Sequence, residues 1–217
     1  AAVARQGTLS GVSMAAWGKV LWGLLLSALL GLMLGGGLCV LMRLLLGRGC
    51  LERAAQRFRR WQIAGAAAMA FCHGAQDGQK FLGVLLLAAA LRTGRPPQLE
   101  SAPLWEALLC ALVMGAGTAV GGRRIIRAVG QDMTPLMPYQ GFAADAAAVA
   151  CLLLATAGGL PVSTTHTKTC AVMGAGAAGG GKVDRRIAGR MVLAWLLTFP
   201  ACALLGYVLS KWMLHMV

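Results

Sequence analysis

Apolar runs long enough to cross a bilayer recur along the chain at 20–46, 63–91, 104–122, 139–160 and 187–213, and a shorter Gly/Ala-rich run occupies 170–181. At about 20 helical residues per crossing, this pattern predicts an all-α membrane protein, a polytopic bundle of about six crossings in one transmembrane domain over 1–217. Two stretches do not fit a plain span. As a helix, 62–91 would measure about 45 Å against a hydrocarbon core of ~30 Å, which calls for a strong tilt or a break near Gly74 and Gly78. The stretch 139–181 is too long for one crossing, and Gly158-Gly159-Leu160-Pro161 stops one helix before the next starts. Broken or re-entrant helices are therefore expected.

Each of these stretches carries a polar island, His73-Gly74-Ala75-Gln76-Asp77-Gly78-Gln79-Lys80 and Pro161-Val162-Ser163-Thr164-Thr165-His166-Thr167-Lys168. An Asp or Lys at mid-helix costs ~2.5 to 3.5 kcal/mol on insertion scales, so such groups line protected cavities. On a helix, His73, Gln76, Asp77 and Lys80 share one face, presenting imidazole, amide, carboxylate and ammonium. Gly74 and Gly78 permit either a close helix neighbour or an unwound turn whose carbonyls bind a cation. The packing alternative is that Asp77 pairs with Lys80 while Gln76 joins two helices.

In the second island Ser163, Thr164 and Thr165 are placed to cap a helix running toward Gly181. A helix N-terminus offers free N–H groups and the positive end of a dipole, and the hydroxyls add neutral donors, a combination suited to an anion. Alternatively, the hydroxyls only bond back to the preceding turn. The polar run 163–169 cannot lie on one face of a lipid-embedded helix, so its backbone sits within protein or beside water. His166 is read equally as an accessory ligand or as a core histidine, and Lys168 either meets the anion or points to the outer surface. Asp145, in an apolar helix without a local partner, is expected to face a cavity rather than the membrane surface. Glycines at four-residue spacing, Gly31 and Gly35, Gly117 and Gly121, Gly176 and Gly180, allow close helix packing or reflect composition in a chain with 30 glycines.

Composition sharpens this picture. Of 217 residues 58% are hydrophobic and the mean hydropathy is +0.70, above the roughly 45–50% apolar content of soluble domains. The net charge of +13 is dispersed between apolar runs, which makes the lipid bilayer the expected partner and excludes a nucleic-acid stripe. Arg43, Arg48, Arg53, Arg57, Arg59, Arg60, Arg123, Arg124, Arg127, Lys182, Arg185, Arg186 and Arg190 fall on one side of a six-crossing layout, and Arg5, Lys19, Arg92, Arg95 and Lys211 on the other. The positive-inside rule makes the first side cytoplasmic, with a basic loop at about 47–61 and both termini outside. The seven cysteines form no CxxC pair and sit in apolar runs, so they read as small core residues; no metal site or cofactor is expected. The chain starts at Ala1 without a signal-peptide pattern, which reads as a fragment or a processed product.

The two islands, together with Gly130-Gln131-Asp132-Met133-Thr134, Gln140-Gly141-Phe142-Ala143-Ala144 and the stretch 187–195, resemble the second repeat of the PiT family of inorganic phosphate transporters. The resemblance covers essentially the whole chain. It implies a secondary transporter of inverted repeats in the cell membrane, carrying inorganic phosphate with H⁺ or Na⁺, or as a metal–phosphate complex, near the bilayer midplane. By position it implies a substrate and ion site built from Gln76, Asp77, Ser163, Thr164 and Thr165, with Gln76 and the hydroxyls on the substrate and Asp77 on the cation; Gln79 and Asp145 are further ion-coupling candidates, and His73, Lys80 and His166 accessory ones. Gln76 stands where the family has Asn, and Asp145 where it has Glu. The first repeat is not in this sequence, so a homo-oligomer or a separate N-terminal repeat is expected to complete the carrier. Competing readings are a non-transporting subunit or truncated pseudotransporter, a passive channel, and an intramembrane metalloenzyme using His73, Asp77 and His166, which lacks an HExxH motif.

Overall fold

The computed structural model describes residues 3, 7–8, 12–93 and 103–216, apart from the side chains of residues 48, 91–93, 124 and 216. Arg5 and Arg95 lie outside the described residues, as do the side chains of Arg48, Arg92 and Arg124. All regular secondary structure among the described residues is helical. The helices are α1 (Met14–Leu46), α2 (Arg48–Arg53), α3 (Ala55–Thr93), α4 (Leu104–Arg127), α5 (Pro138–Ala157), α6 (Thr164–Ala178) and α7 (Arg185–Met216), with a π-helical turn Ala128–Asp132 after α4.

Local chemistry sets the helix limits. The Ser13 hydroxyl accepts the Ala16 N–H at 3.3 Å to open α1, and Gly47, at φ +67°, closes it by donating to the Arg43 carbonyl. Pro138 opens α5, where the Gln140 side chain accepts the Met137 N–H at 2.8 Å. The turn 158–163 ends α5 and starts α6 through Gly159 at φ +61° and Pro161, so the second expected break is present. The first is not. Helix α3 runs unbroken through Gly74 and Gly78, where an added Cβ would meet no other described atom within 4 Å. Side chains on α3 satisfy one another across the island, and the backbone ladder has no reason to open.

Among the described residues, four helical segments are long and apolar enough to cross a membrane, Met14–Leu46, Leu104–Arg123, Pro138–Ala157 and Arg185–His215. At their centre the α5–α6 hairpin is held between α1 and α3. Helix α6 runs parallel to α1 in backbone contact: Gly23, Gly31 and Gly35 lie on the carbonyls of Pro161, Thr167 and Ala171, and Gly174 lies on that of Leu32. A Cβ at Gly31 would sit 2.6 Å from the Thr167 oxygen, so only glycine permits this approach. Gly117 and Gly121 have no such neighbour among the described residues. Helix α5 runs parallel to α3, with Gly141 on Gln62, Asp145 on Gly65, and Thr156 beside Gln76. Between them lies a core of small residues, Ala143, Ala144, Ala147, Ala148, Ala171 and Ala175.

The basic helix ends gather at one end of this bundle. There the Arg43 guanidinium donates to the Ala178 carbonyl at the C-terminus of α6, where a cation also meets the negative end of the dipole. Phe58 and Tyr139 stack edge to face nearby at 6.4 Å, and the Asp184 N–H bonds the Met133 carbonyl at 2.8 Å. Helices α4 and α7 are peripheral, with membrane-length windows that bury nothing. Ring contacts reach α7 from the body, Trp195 against His166 at 4.0 Å and Phe199 against Trp17 at 6.0 Å.

Candidate functional site

The turn 158–163 carries the start of α6 to the level of the α3 island. Ser163 is the N-cap, its hydroxyl accepting the His166 N–H at 3.3 Å, and the Thr167 N–H closes the first turn on the Ser163 carbonyl at 3.0 Å. The N–H groups of Ser163, Thr164 and Thr165 therefore have no partner within the helix. Facing them is a chain of polar contacts on α3. The Thr164 hydroxyl donates to Asp77 Oδ2 at 3.3 Å and lies 2.9 Å from His73 Nδ1, which in turn lies 3.4 Å from Asp77 Oδ2. The Lys80 ammonium donates to Asp77 Oδ1 at 2.7 Å and to the Val162 carbonyl at 3.4 Å. The Asp77 carboxylate is thus matched by a cation one helical turn away and tied to the tip of α6.

Two cavities meet at this tip. One, of about 340 Å³, is lined by Asp77, Lys80, Ser163, Thr164 and Thr165, with Val20, Leu24, Pro161, Val162 and Phe199. The other, of about 460 Å³, lies toward the basic end, where His73, Gln62, Met69, Ile126, Val129, Asp145, Lys168 and Thr169 join Thr164 and Thr165 in its wall. Only Thr164 and Thr165 line both. Thr164 is buried with its hydroxyl engaged, whereas Thr165 is exposed to the cavities.

The structure brings His73, Asp77, Lys80, Ser163, Thr164 and Thr165 together. Asp145 belongs to the second cavity, where the Lys168 ammonium donates to it across the hairpin. Gln76 lines neither cavity; its amide donates to the Thr156 hydroxyl at 2.6 Å. Gln79 is exposed and also lines neither, because an unbroken helix turns it off the face that holds Asp77. His166 stacks on Trp195. The Asp145–Lys168 pairing and the part of Phe199 in the first cavity were not legible, since no periodicity links residues on separate helices.

A hydroxyl-rich helix N-terminus and a compensated carboxylate, enclosed by long apolar helices, mark an integral membrane protein with polar cavities between its helices. The chain belongs to the phosphate transporter family, whose model matches residues 47–206. A Mycobacterium leprae protein named a probable low-affinity inorganic phosphate transporter is 40% identical over 162 residues, covering 74% of this chain and 39% of that protein. A Bacillus subtilis protein of the same name is 33% identical over 225 residues, covering 97% of this chain and 66% of that protein. A putative phosphate permease of Pyrococcus abyssi is 32% identical over 156 residues, covering 71% of this chain and 38% of that protein. The chain thus spans about two fifths of the length of the mycobacterial relative. No solved structure matches it.

Proposed function

We propose that this chain carries a substrate site of a cation-coupled inorganic phosphate transporter, with phosphate held at the N-terminus of α6. The observation that carries the reading is that Asp77 and residues 163–165 line one cavity at the end of a helix with unpaired N–H groups. Thr165 is the hydroxyl placed to meet the anion, while Thr164 ties it to Asp77. Phosphate carries one to two negative charges, and each costs ~2.3 kcal/mol to move inward against 100 mV. Uptake therefore needs an accompanying H⁺ or Na⁺, and Asp77 and Asp145 are the carboxylates available to it. Because Lys80 compensates Asp77, an incoming anion meets a nearly neutral pair and not a bare carboxylate.

The topology proposed with this function has the basic end in the cytoplasm. Helices α1, α4 and α7 cross fully, as does α3, which is longer but less apolar because it carries the polar island, while α5, although of membrane length, turns back at 158–163 into α6 so that both ends of the hairpin lie on the basic side. What supports this is the level of the turn. Gly23 meets Pro161 and Lys80 meets Val162, leaving on the order of 13 Å of α1 and 20 Å of α3 beyond the turn at 1.5 Å per residue. The mycobacterial relatives are more than twice as long as this chain's match to them, so a further set of helices, from another copy or another stretch of polypeptide, completes the carrier.

The test is phosphate uptake into proteoliposomes under an imposed Na⁺ or H⁺ gradient. Gradient-driven accumulation supports the reading. A second reading, a subunit that binds phosphate without moving it, is favoured by lysines occupying both Asp77 and Asp145. Binding without accumulation would select it.

A further inference from the structure

The two cavities are alike in one respect: each holds one lysine–aspartate pair. In the first, Asp77 and Lys80 are three residues apart on one helix, a local pair that any helix could form. In the second, Asp145 on α5 and Lys168 on α6 meet across the hairpin, with side-chain exposures of 13% and 27%. Such a pair is costly to bury and contributes little net stability compared with apolar packing, which leaves its retention to be explained by use.

Position supplies the use. Lys168 lies three residues beyond Thr165 and four beyond Thr164, one helical turn of 5.4 Å toward the basic end and on the same face. All three line the second cavity, which continues along that face past Thr169 to Val172. An anion leaving the Thr165 hydroxyl in that direction meets the Lys168 ammonium next. Gln62 and His73 add donors around it, and Asp145 is the one carboxylate in the cavity wall among the described residues.

We propose that the cavity of about 460 Å³ is a second phosphate subsite, in which Lys168 is the ligand and Asp145 the counter-ion that phosphate must displace. This deepens the function proposed above and rests on it. A lysine binds phosphate as a point charge, and a resident carboxylate lowers the affinity by competing for the same ammonium. The subsite is therefore weak by construction, as release on the far side of Thr165 requires.

The experiment is equilibrium binding of radiolabelled inorganic phosphate to the full 217-residue chain in lipid nanodiscs. Asp145→Asn removes the competitor and is expected to tighten binding about tenfold, the size of one charge-assisted contact. The double variant Asp145→Asn with Lys168→Met carries no unpaired buried charge, its folding is checked by size-exclusion chromatography, and it is expected to lose that gain and bind more weakly than wild type. Lys168→Arg retains binding within a few-fold. If Asp145→Asn and the double variant bind phosphate equally, Lys168 meets no anion and the subsite falls. If Thr165→Val abolishes binding in that same experiment, the site at the tip of α6 survives that failure. Absence of phosphate binding in wild type and in Asp145→Asn would overturn both.

Discussion

Helix α6 meets α1 and α3 through opposite chemistry. Toward α1 the contact is backbone on backbone, with Gly23, Gly31 and Gly35 seated on carbonyls of the hairpin. Toward α3 it runs through polar side chains, His73, Asp77 and Lys80 against the Thr164 hydroxyl and the Val162 carbonyl just before α6, and cavities of about 340 and 460 Å³ open beside it. Glycine contacts gain close packing and leave no room for a ligand. Side-chain contacts keep the helices apart and leave polar groups that a small ion can satisfy. The flank that fixes the hairpin is therefore distinct from the flank that meets cargo, and substitutions on the two should fail in different ways.

The largest effect is expected on the fixed flank. Gly31→Val places a side chain against the Thr167 carbonyl, which as backbone cannot rotate away. Overpacking of this kind costs ~1–3 kcal/mol and occasionally more, and here it strikes the most enclosed helix. We expect loss of monodisperse protein in detergent by size-exclusion chromatography. Gly74→Ala, at a position where an added Cβ meets no other described atom within 4 Å, should stay folded and gain up to about 1 kcal/mol of helix propensity. Equal damage by both would erase the distinction between the flanks.

On the other flank, Asp77→Asn should leave folding intact and reduce gradient-driven phosphate uptake by on the order of 100-fold or more, since it removes the carboxylate that joins Lys80, His73 and Thr164. Undiminished uptake in vesicles would take Asp77 out of the mechanism. Thr165→Val comes next in size. Losing one hydroxyl donor to a charged ligand costs ~1.5–3 kcal/mol, a tenfold or greater rise in the phosphate Kd, read by equilibrium binding. An unchanged Kd would move the anion away from the tip of α6.

Much of this arrangement was legible because intramembrane charge is expensive. Asp77 and the hydroxyls of residues 163–165 stood out as polar groups inside apolar runs, and the structure places them in one cavity. The Ser163 cap and the break at Gly158 to Pro161 followed from residue types that act locally. The state of the hairpin was not legible from charge. A pair of crossings and a re-entrant hairpin return the chain to the same side, so the arginine distribution fits both. The unbroken α3 was also hidden, because glycine permits unwinding without demanding it, and Gln79, expected among the ion-coupling residues, lies exposed and off both cavities. Asp145 found its partner 23 residues away on another helix, a pairing that only tertiary structure creates.

The smallest expected effect bears on Gln76, which the family resemblance assigns to substrate and which here donates to Thr156 at 2.6 Å. The Thr156 hydroxyl in turn donates a hydrogen bond to the Leu152 carbonyl at 2.8 Å, so the two residues form a short chain of bonds joining α3 to α5. Gln76→Leu and Thr156→Val should each lower stability by about 1 kcal/mol, and the double variant by less than the sum, because each single change already breaks the shared bond. Neither should alter the phosphate Kd if the amide serves the hairpin and not the anion. The two substitutions must behave alike for this to hold. A Gln76→Leu variant that loses phosphate affinity while Thr156→Val keeps it would place the amide on the cargo flank, and would require that it turn from Thr156 into the cavity beside Asp77 when phosphate binds.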